Sequence, residues 1–326
     1  MHDPLATAPP FRDRRAMQQN WPTVVGARPP STRLLLRRGS DRTKGLCMDL
    51  DGKVALVTGA SRGVGAATAI ALAQAGCRVA CAARSTASAP QRTPGTLDDT
   101  VARINADGGT AIAVPTNLAE ERDVVRMVAT TAEELGGVDI LVNNAAITFS
   151  GGLDIPLKRH DLIMEVNFRA PFIAIREVAE HMRRRGGGAI VNLSSMAAFS
   201  PIPGLMSYGA SKIALERLTL DAAVQLRPER IAVNCFRIDI PVASEGFVAN
   251  TPGLDRSDWE PAEVAAEGIL WMLRQPPGYS GRRESMYALR NREHIMSSRA
   301  QREWQGTPPP TQLLDAMIDV GESVFR

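Results

Sequence analysis

Tyr208 and Lys212 stand four residues apart in Tyr208-Gly209-Ala210-Ser211-Lys212. On a helix the two side chains share one face, so a phenol and an ammonium converge on one small volume. A phenol so placed gives a proton to a developing alkoxide or, when ionised, takes one from a hydroxyl. Its free pKa of about 10 makes it a weak base near neutrality, so base chemistry needs positive charge nearby. Ser194-Ser195 ends a strongly apolar run before this segment and brings a hydroxyl within reach. Only four of the 38 basic residues are lysines, which makes Lys212 conspicuous. The spacing alone also fits an aromatic in the core beside a surface lysine.

A second constellation precedes the first. The apolar run Val54-Ala55-Leu56-Val57 enters Thr58-Gly59-Ala60-Ser61-Arg62-Gly63-Val64-Gly65, and a helix of small residues follows at once. Gly59, Gly63 and Gly65 allow a tight turn and close backbone approach to a pyrophosphate, whose charge the helix N-terminus stabilises. The next strand ends Cys81-Ala82-Ala83-Arg84-Ser85, with no acid to bind a ribose hydroxyl. Arg84 and Arg62 are two cations for a 2′-phosphate, which predicts NADP(H) preference with NAD(H) as the alternative. Their other reading is as solvated rim residues.

Apolar strand patterns at 53–58, 78–82, 110–114, 139–143, 188–194 and 231–237 alternate with helical patterns. The helices are 63–75, 96–107, 120–135, 160–185 and 208–226, with Pro261–Arg274 beyond them. Such alternation predicts an α/β fold: a single Rossmann-type, doubly wound parallel sheet with helices on both faces. Residues 1–47 are rich in Pro and Arg and read as a disordered extension, either an organelle presequence or a dispensable segment ahead of a natural start at Met48. The catalytic domain is expected over 48–290 and a C-terminal tail over 291–326, with a short amphipathic helix near Leu313–Val320.

Net charge is +3, and residues 1–47 hold nine Lys/Arg against three Asp/Glu. The rest of the chain is therefore slightly acidic, which argues against a nucleic-acid partner. No apolar run approaches the ~18 residues of a membrane span. Cys47, Cys77, Cys81 and Cys235 lack ligand spacing, as do His2, His160, His181 and His294, so no metal site is expected. Reduced thiols fit a cytoplasmic location.

With these motifs in hand, the chain resembles the short-chain dehydrogenase/reductase family over roughly residues 48–280. The matching residues are Thr58–Gly65, Asn143-Asn144-Ala145-Ala146, Asn167, Ser195, Tyr208 and Lys212. The resemblance implies a tetrad. Tyr208 is the acid/base, Ser195 orients the substrate oxygen, Lys212 lowers the phenol pKa and holds the nicotinamide ribose, and Asn167 anchors a water in the proton relay. It places the cofactor on Gly59, Ser61, Arg62, Gly63, Val64, Gly65, Arg84, Asn117, Leu118, Asn144, Ala145, Tyr208, Lys212 and Ile240, with Asn143 and Asn144 mainly steadying the sheet. It also implies a homodimer or homotetramer built on the helices near 160–185 and 208–226.

Three positions depart from the family pattern. Ala146 replaces a glycine, Asn117 replaces an aspartate near the adenine, and Arg237-Ile238-Asp239-Ile240-Pro241-Val242-Ala243-Ser244 stands where the family has a Pro-Gly pair and then a threonine that contacts cofactor phosphate. In the altered stretch Ile240 is expected to lean on the nicotinamide and Ser244 to replace a threonine hydroxyl. The long loop 85–96 should act on cofactor grip. Segments 145–152, 196–206 and 241–259 bound an apolar pocket with Phe149, Phe199, Leu205, Met206 and Phe247, as for a hydrophobic ketone, aldehyde or secondary alcohol. The expected activity is carbonyl/alcohol interconversion; a cofactor-binding sensor or scaffold with little turnover is the alternative.

Overall fold

The computed structural model describes residues 47–306 apart from Pro252. The extension 1–46 and the helix expected near Leu313–Val320 lie outside the described residues. Seven parallel strands form the main sheet: β1 (Val54–Thr58), β2 (Arg78–Ala83), β3 (Thr110–Pro115), β4 (Ile140–Asn143), β5 (Gly188–Ser195), β6 (Ile231–Ile238) and β9 (Arg283–Ser285). Their order is β3-β2-β1-β4-β5-β6-β9. The order reverses between β1 and β4, so a crevice opens there beyond the strands' C-terminal ends. Two short strands, β7 (Val242–Ala243) and β8 (Glu260–Pro261), pair separately.

Strand β1 is buried along its whole length, as a strand covered on both faces must be. Alternate residues feed opposite cores: Ala55 and Val57 enter one, with Leu72 of α1 (Gly63–Gln74) and Val264 of α8 (Ala262–Leu273). Val54 and Leu56 enter the other, with Met127 of α3 (Glu121–Leu135) and Val178 of α5 (Ala170–Arg184). Helix α2 (Leu97–Ala106) begins with a Thr96/Asp99 capping box, which fixes where the 85–96 loop ends.

The predicted strands and helices agree with the structure to within a residue or two, with two exceptions. The single helix expected over 160–185 is α4 (Leu157–Met164), a π-turn at Glu165–Arg169, and then α5. The tail boundary at 290 falls inside α9 (Met286–Glu293), which follows β9 directly. Beyond it Met296 is buried, and the Arg299 amide donates to Glu260 at 2.8 Å, so these residues belong to the packed domain. Short, weakly periodic elements such as β9 give too few apolar positions to be legible.

Two long-range devices tie β1 to β4, one at each end of the strands. At the strands' N-terminal ends, buried Asp139 takes hydrogen bonds from Arg185 Nε at 2.7 Å and Nη2 at 2.9 Å and from the Val54 amide at 2.9 Å. At the C-terminal ends, Thr58 Oγ1 donates to the Val142 carbonyl and accepts from the Asn144 and Ala145 amides, each at 3.1 Å. Thr58→Val keeps the shape and takes this acceptor from both amides, of which the Asn144 N–H keeps its bond to the Val142 carbonyl at 3.1 Å, so it is expected to cost about 1–3 kcal/mol in urea unfolding. A loss under about 0.5 kcal/mol, below the worth of a single such bond, would mean that water or a shifted backbone satisfies them. Among the described residues no helix is long and apolar enough to cross a membrane.

Candidate active site

The glycine turn lies at the crevice. Gly59 and Gly63 have φ of +69° and +54°, in the left-handed region that glycine adopts without strain. Gly65 is constrained by space instead: a Cβ there would stand 2.2 Å from the Gly59 carbonyl oxygen and 2.4 Å from Asn144 Nδ2. The turn thus has bare backbone at the start of α1, the arrangement that accepts a pyrophosphate. Ser61 is buried, Val64 packs into the core, and Asn144 Nδ2 ties back to the Thr58 carbonyl at 2.8 Å. Asn143 bonds Asn192 at 2.8 Å, and Asn192 bonds Thr219 at 2.9 Å, which makes Asn143 a sheet brace.

Arg62 crosses to the 85–96 loop, where its Nη2 donates to the Gly95 carbonyl at 2.7 Å; Ser85 Oγ donates to the same oxygen at 2.9 Å. Among the described residues the buried Nε of Arg62 has no hydrogen-bond partner. Burial holds the Arg62 pKa below its ordinary value, with nearby Glu245 opposing the shift and Arg84 adding to it. Arg84 is exposed. Two cations and an unsatisfied N–H therefore stand where the turn meets the start of the 85–96 loop. Asn117 and Leu118, just beyond β3, are half-buried; Asn117 Oδ1 accepts from the Ala119 amide at 3.3 Å.

The altered segment after β6 is resolved by packing. Ile240 is 2% exposed and lies in the hydrophobic core, so it offers the crevice no side-chain surface, contrary to expectation. Ser244 does reach the glycine turn: its Cβ lies 2.9 Å from where a Gly63 Cβ would be. It also caps α7 (Glu245–Asn250). Asp239 is buried and accepts from the Tyr287 amide at 3.0 Å, at the start of α9. The carboxylate of Glu245 sits beside Gly63, an acid that sequence reading misses because α7 reaches the turn only through tertiary packing.

Tyr208 and Lys212 lie on α6 (Met206–Leu226), with Ser195 at the end of β5. The Tyr208 hydroxyl is turned toward the Ser195 hydroxyl, and burial pushes the phenol pKa up while Ser195 opposes the rise. Lys212 is buried, with Nζ donating to the Leu193 carbonyl at 2.9 Å and lying 5.5 Å from the Tyr208 ring centroid. Burial brings its pKa down to about 8. The expected lowering of the Tyr208 pKa by Lys212 is not seen, because the ammonium is turned to the Leu193 carbonyl and desolvation dominates at the phenol.

Asn167 sits in the π-turn, a distortion frequent at functional sites. Its side-chain amide accepts from the Ile147 N–H at 2.8 Å and donates to the Ile147 carbonyl and to Ser211 Oγ at 2.9 and 3.0 Å. It therefore clamps the segment that leaves β4 to helix α6. The clamped residue, Ile147, borders the crevice just past Asn144 and Ala145.

The sequence profile of the short chain dehydrogenase family matches residues 53–240. The chain belongs to this family. Human dehydrogenase/reductase SDR family member 4 is 38% identical over 189 residues, which cover 57% of this chain and 65% of that protein. A fatty acyl-CoA reductase of Mycobacterium tuberculosis is 34% identical over 256 residues, 77% of this chain and 81% of that one. Among solved structures, a Burkholderia cenocepacia short chain dehydrogenase in complex with NADP superposes with a TM-score of 0.65 at 34% identity, covering 73% of this chain and 97% of that one. The chain thus spans just under two thirds of the human relative's length. The region matched by the family profile contains the glycine turn, Asn167, Ser195, Tyr208 and Lys212.

The aromatic residues expected to bound the pocket have charged neighbours. Arg159 lies over the Phe149 ring at 5.4 Å and Arg237 over Phe199 at 3.4 Å. Phe247 stacks on Trp259 at 4.7 Å and, with Met206, stays exposed. His160 Nδ1 and Ser207 Oγ pair at 3.0 Å, next along the chain to Tyr208.

Proposed function

We propose that this chain is an NADP(H)-preferring oxidoreductase that interconverts a ketone or aldehyde and the corresponding alcohol on a hydrophobic substrate. The observation that carries this reading is the convergence of Ser195, at the end of β5, and Tyr208, on α6, beside buried Lys212. Bound NADP(H) supplies or accepts the hydride. Ser195 orients the substrate oxygen, and Tyr208 holds the proton that the oxygen gains on reduction. A phenol whose pKa is raised stays protonated through neutrality, which suits the reducing direction. Asn167 fixes the strand and helix that face each other across the site. Gly59, Ser61, Gly63, Val64 and Gly65 hold the pyrophosphate, and Arg62 and Arg84 face the 2′-phosphate.

A panel of ketones, aldehydes and secondary alcohols, followed by NADPH absorbance, tests the activity. Tight NADPH binding with no turnover of any member would favour the sensor reading instead. For cofactor choice, Arg62→Ala/Arg84→Ala is expected to lower the NADP(H)-to-NAD(H) ratio of kcat/KM by about 10–100-fold, the worth of one or two charge-assisted hydrogen bonds. Wild-type protein that uses NAD(H) equally well would remove the preference. Phe172 on α5 and Val224 on α6 remain exposed, which supports a homodimer or homotetramer through these helices.

A further inference from the structure

Behind the site lies an ion pair that neither the proton chemistry nor the cofactor cradle uses. Arg237 Nε donates to Glu216 Oε1 at 2.9 Å and Nη2 to Oε2 at 2.8 Å, with both side chains 0% exposed. Arg283 of β9 adds a second guanidinium 3.9 Å from Oε2. Desolvation of a buried pair can exceed its attraction, and apolar residues of similar volume often stabilise a fold as well, so stability alone does not account for it.

Its location does. Arg237 is the register partner of Ser194, and Ile238 that of Ser195. The Arg237 guanidinium packs on Phe199, which follows the turn Met196–Ala198 that leaves Ser195. Glu216 lies one helical turn beyond Lys212 on the same face of α6. The pair therefore joins the backbone that carries Ser195 and Phe199 to the helix that carries Tyr208 and Lys212.

We propose that Glu216 and Arg237 form a positioning unit for the proton-transfer centre: Arg237 fixes the Ser195–Phe199 turn, and Glu216, held by Arg237, opposes the Lys212 ammonium. The inference rests on the function proposed above. The groups that face Lys212 are Tyr208 and Glu216 from α6 and Cys235 from β6, with Arg237 of β6 and Arg283 of β9 paired to Glu216. Burial pushes the Cys235 thiol up, so it stays neutral and Glu216 supplies the negative charge.

Two variants test this. Glu216→Leu/Arg237→Met replaces the pair by apolar volume, whereas Glu216→Gln keeps the shape and removes the charge. The double variant is expected to keep its circular dichroism spectrum and NADPH binding and to lose at least about tenfold in kcat, the scale of one misplaced catalytic group. Its alkaline limb should move to lower pH, because the ammonium has lost its carboxylate. Glu216→Gln should move the limb the same way. Wild-type kcat and an unmoved limb in a folded double variant overturn the proposal; if the double variant does not fold, an unmoved limb in Glu216→Gln does so. Tyr208→Phe run in parallel separates the two readings. Full activity there removes both, while an inactive Tyr208→Phe beside wild-type-like pair variants removes this one alone.

Discussion

Tyr208→Phe is expected to lower kcat for carbonyl reduction by about 10²–10⁴-fold, with NADPH affinity changed by no more than a few-fold. The variant keeps the ring beside Lys212 and the backbone carbonyl that accepts from Ser211 Oγ. It removes only the hydroxyl turned toward Ser195, so the loss reports proton transfer. Steady-state NADPH oxidation with the fastest ketone of the panel measures it. A variant that kept more than about a tenth of wild-type kcat, far above the loss expected for a missing general acid, would place the proton donor elsewhere. In the wild type, Tyr208 is held above its ordinary pKa and Lys212 is brought down to about 8. Reduction should therefore persist through neutrality and decline as pH rises through about 8, where the ammonium is lost.

The second large effect is expected at Gly65. An alanine Cβ would stand 2.2 Å from the Gly59 carbonyl oxygen, a backbone atom that cannot swing aside. Relief requires the turn to open, and overpacking of this kind costs about 1–3 kcal/mol. Because the same backbone forms the pyrophosphate cradle, Gly65→Ala should weaken NADPH binding about tenfold or more, read by fluorescence titration beside a urea melt. Gly278→Ala, with nothing within 4 Å of its added Cβ, is the control. Unchanged affinity in Gly65→Ala would show that the cradle tolerates an open turn and does not carry the binding.

The candidate site is largely legible in the sequence where its signal is local. The glycine turn declares itself because bare backbone is needed at one strand-to-helix junction, and Tyr208 and Lys212 because helical spacing brings them together. Strand β1 and helix α3 follow from unbroken apolar character and a helical stripe, which reflect burial on two faces and on one. Asn167 is found by resemblance, but the π-turn that holds it is not. Glu165–Arg169 differs from a regular helix only in its hydrogen-bond register, with no change of composition to announce it.

Tertiary packing decided the rest. Asp139 and Arg185, 46 residues apart, and Glu216 and Arg237, 21 apart, are ordinary surface-type residues until folding pairs them with each other. An arginine in the apolar strand β6 calls for a buried partner but does not say which acid it is. Ile240 reads as a crevice residue and lies in the core, while Glu245 reaches the glycine turn unannounced, because loop direction after β6 depends on what α8 and α9 leave open. The sequence by itself determined the sheet, the turn and the Tyr208/Lys212 face, each encoded by neighbours along the chain. Only the tertiary structure decided which buried charges met, since that pairing is set by contacts between segments and not by any local pattern.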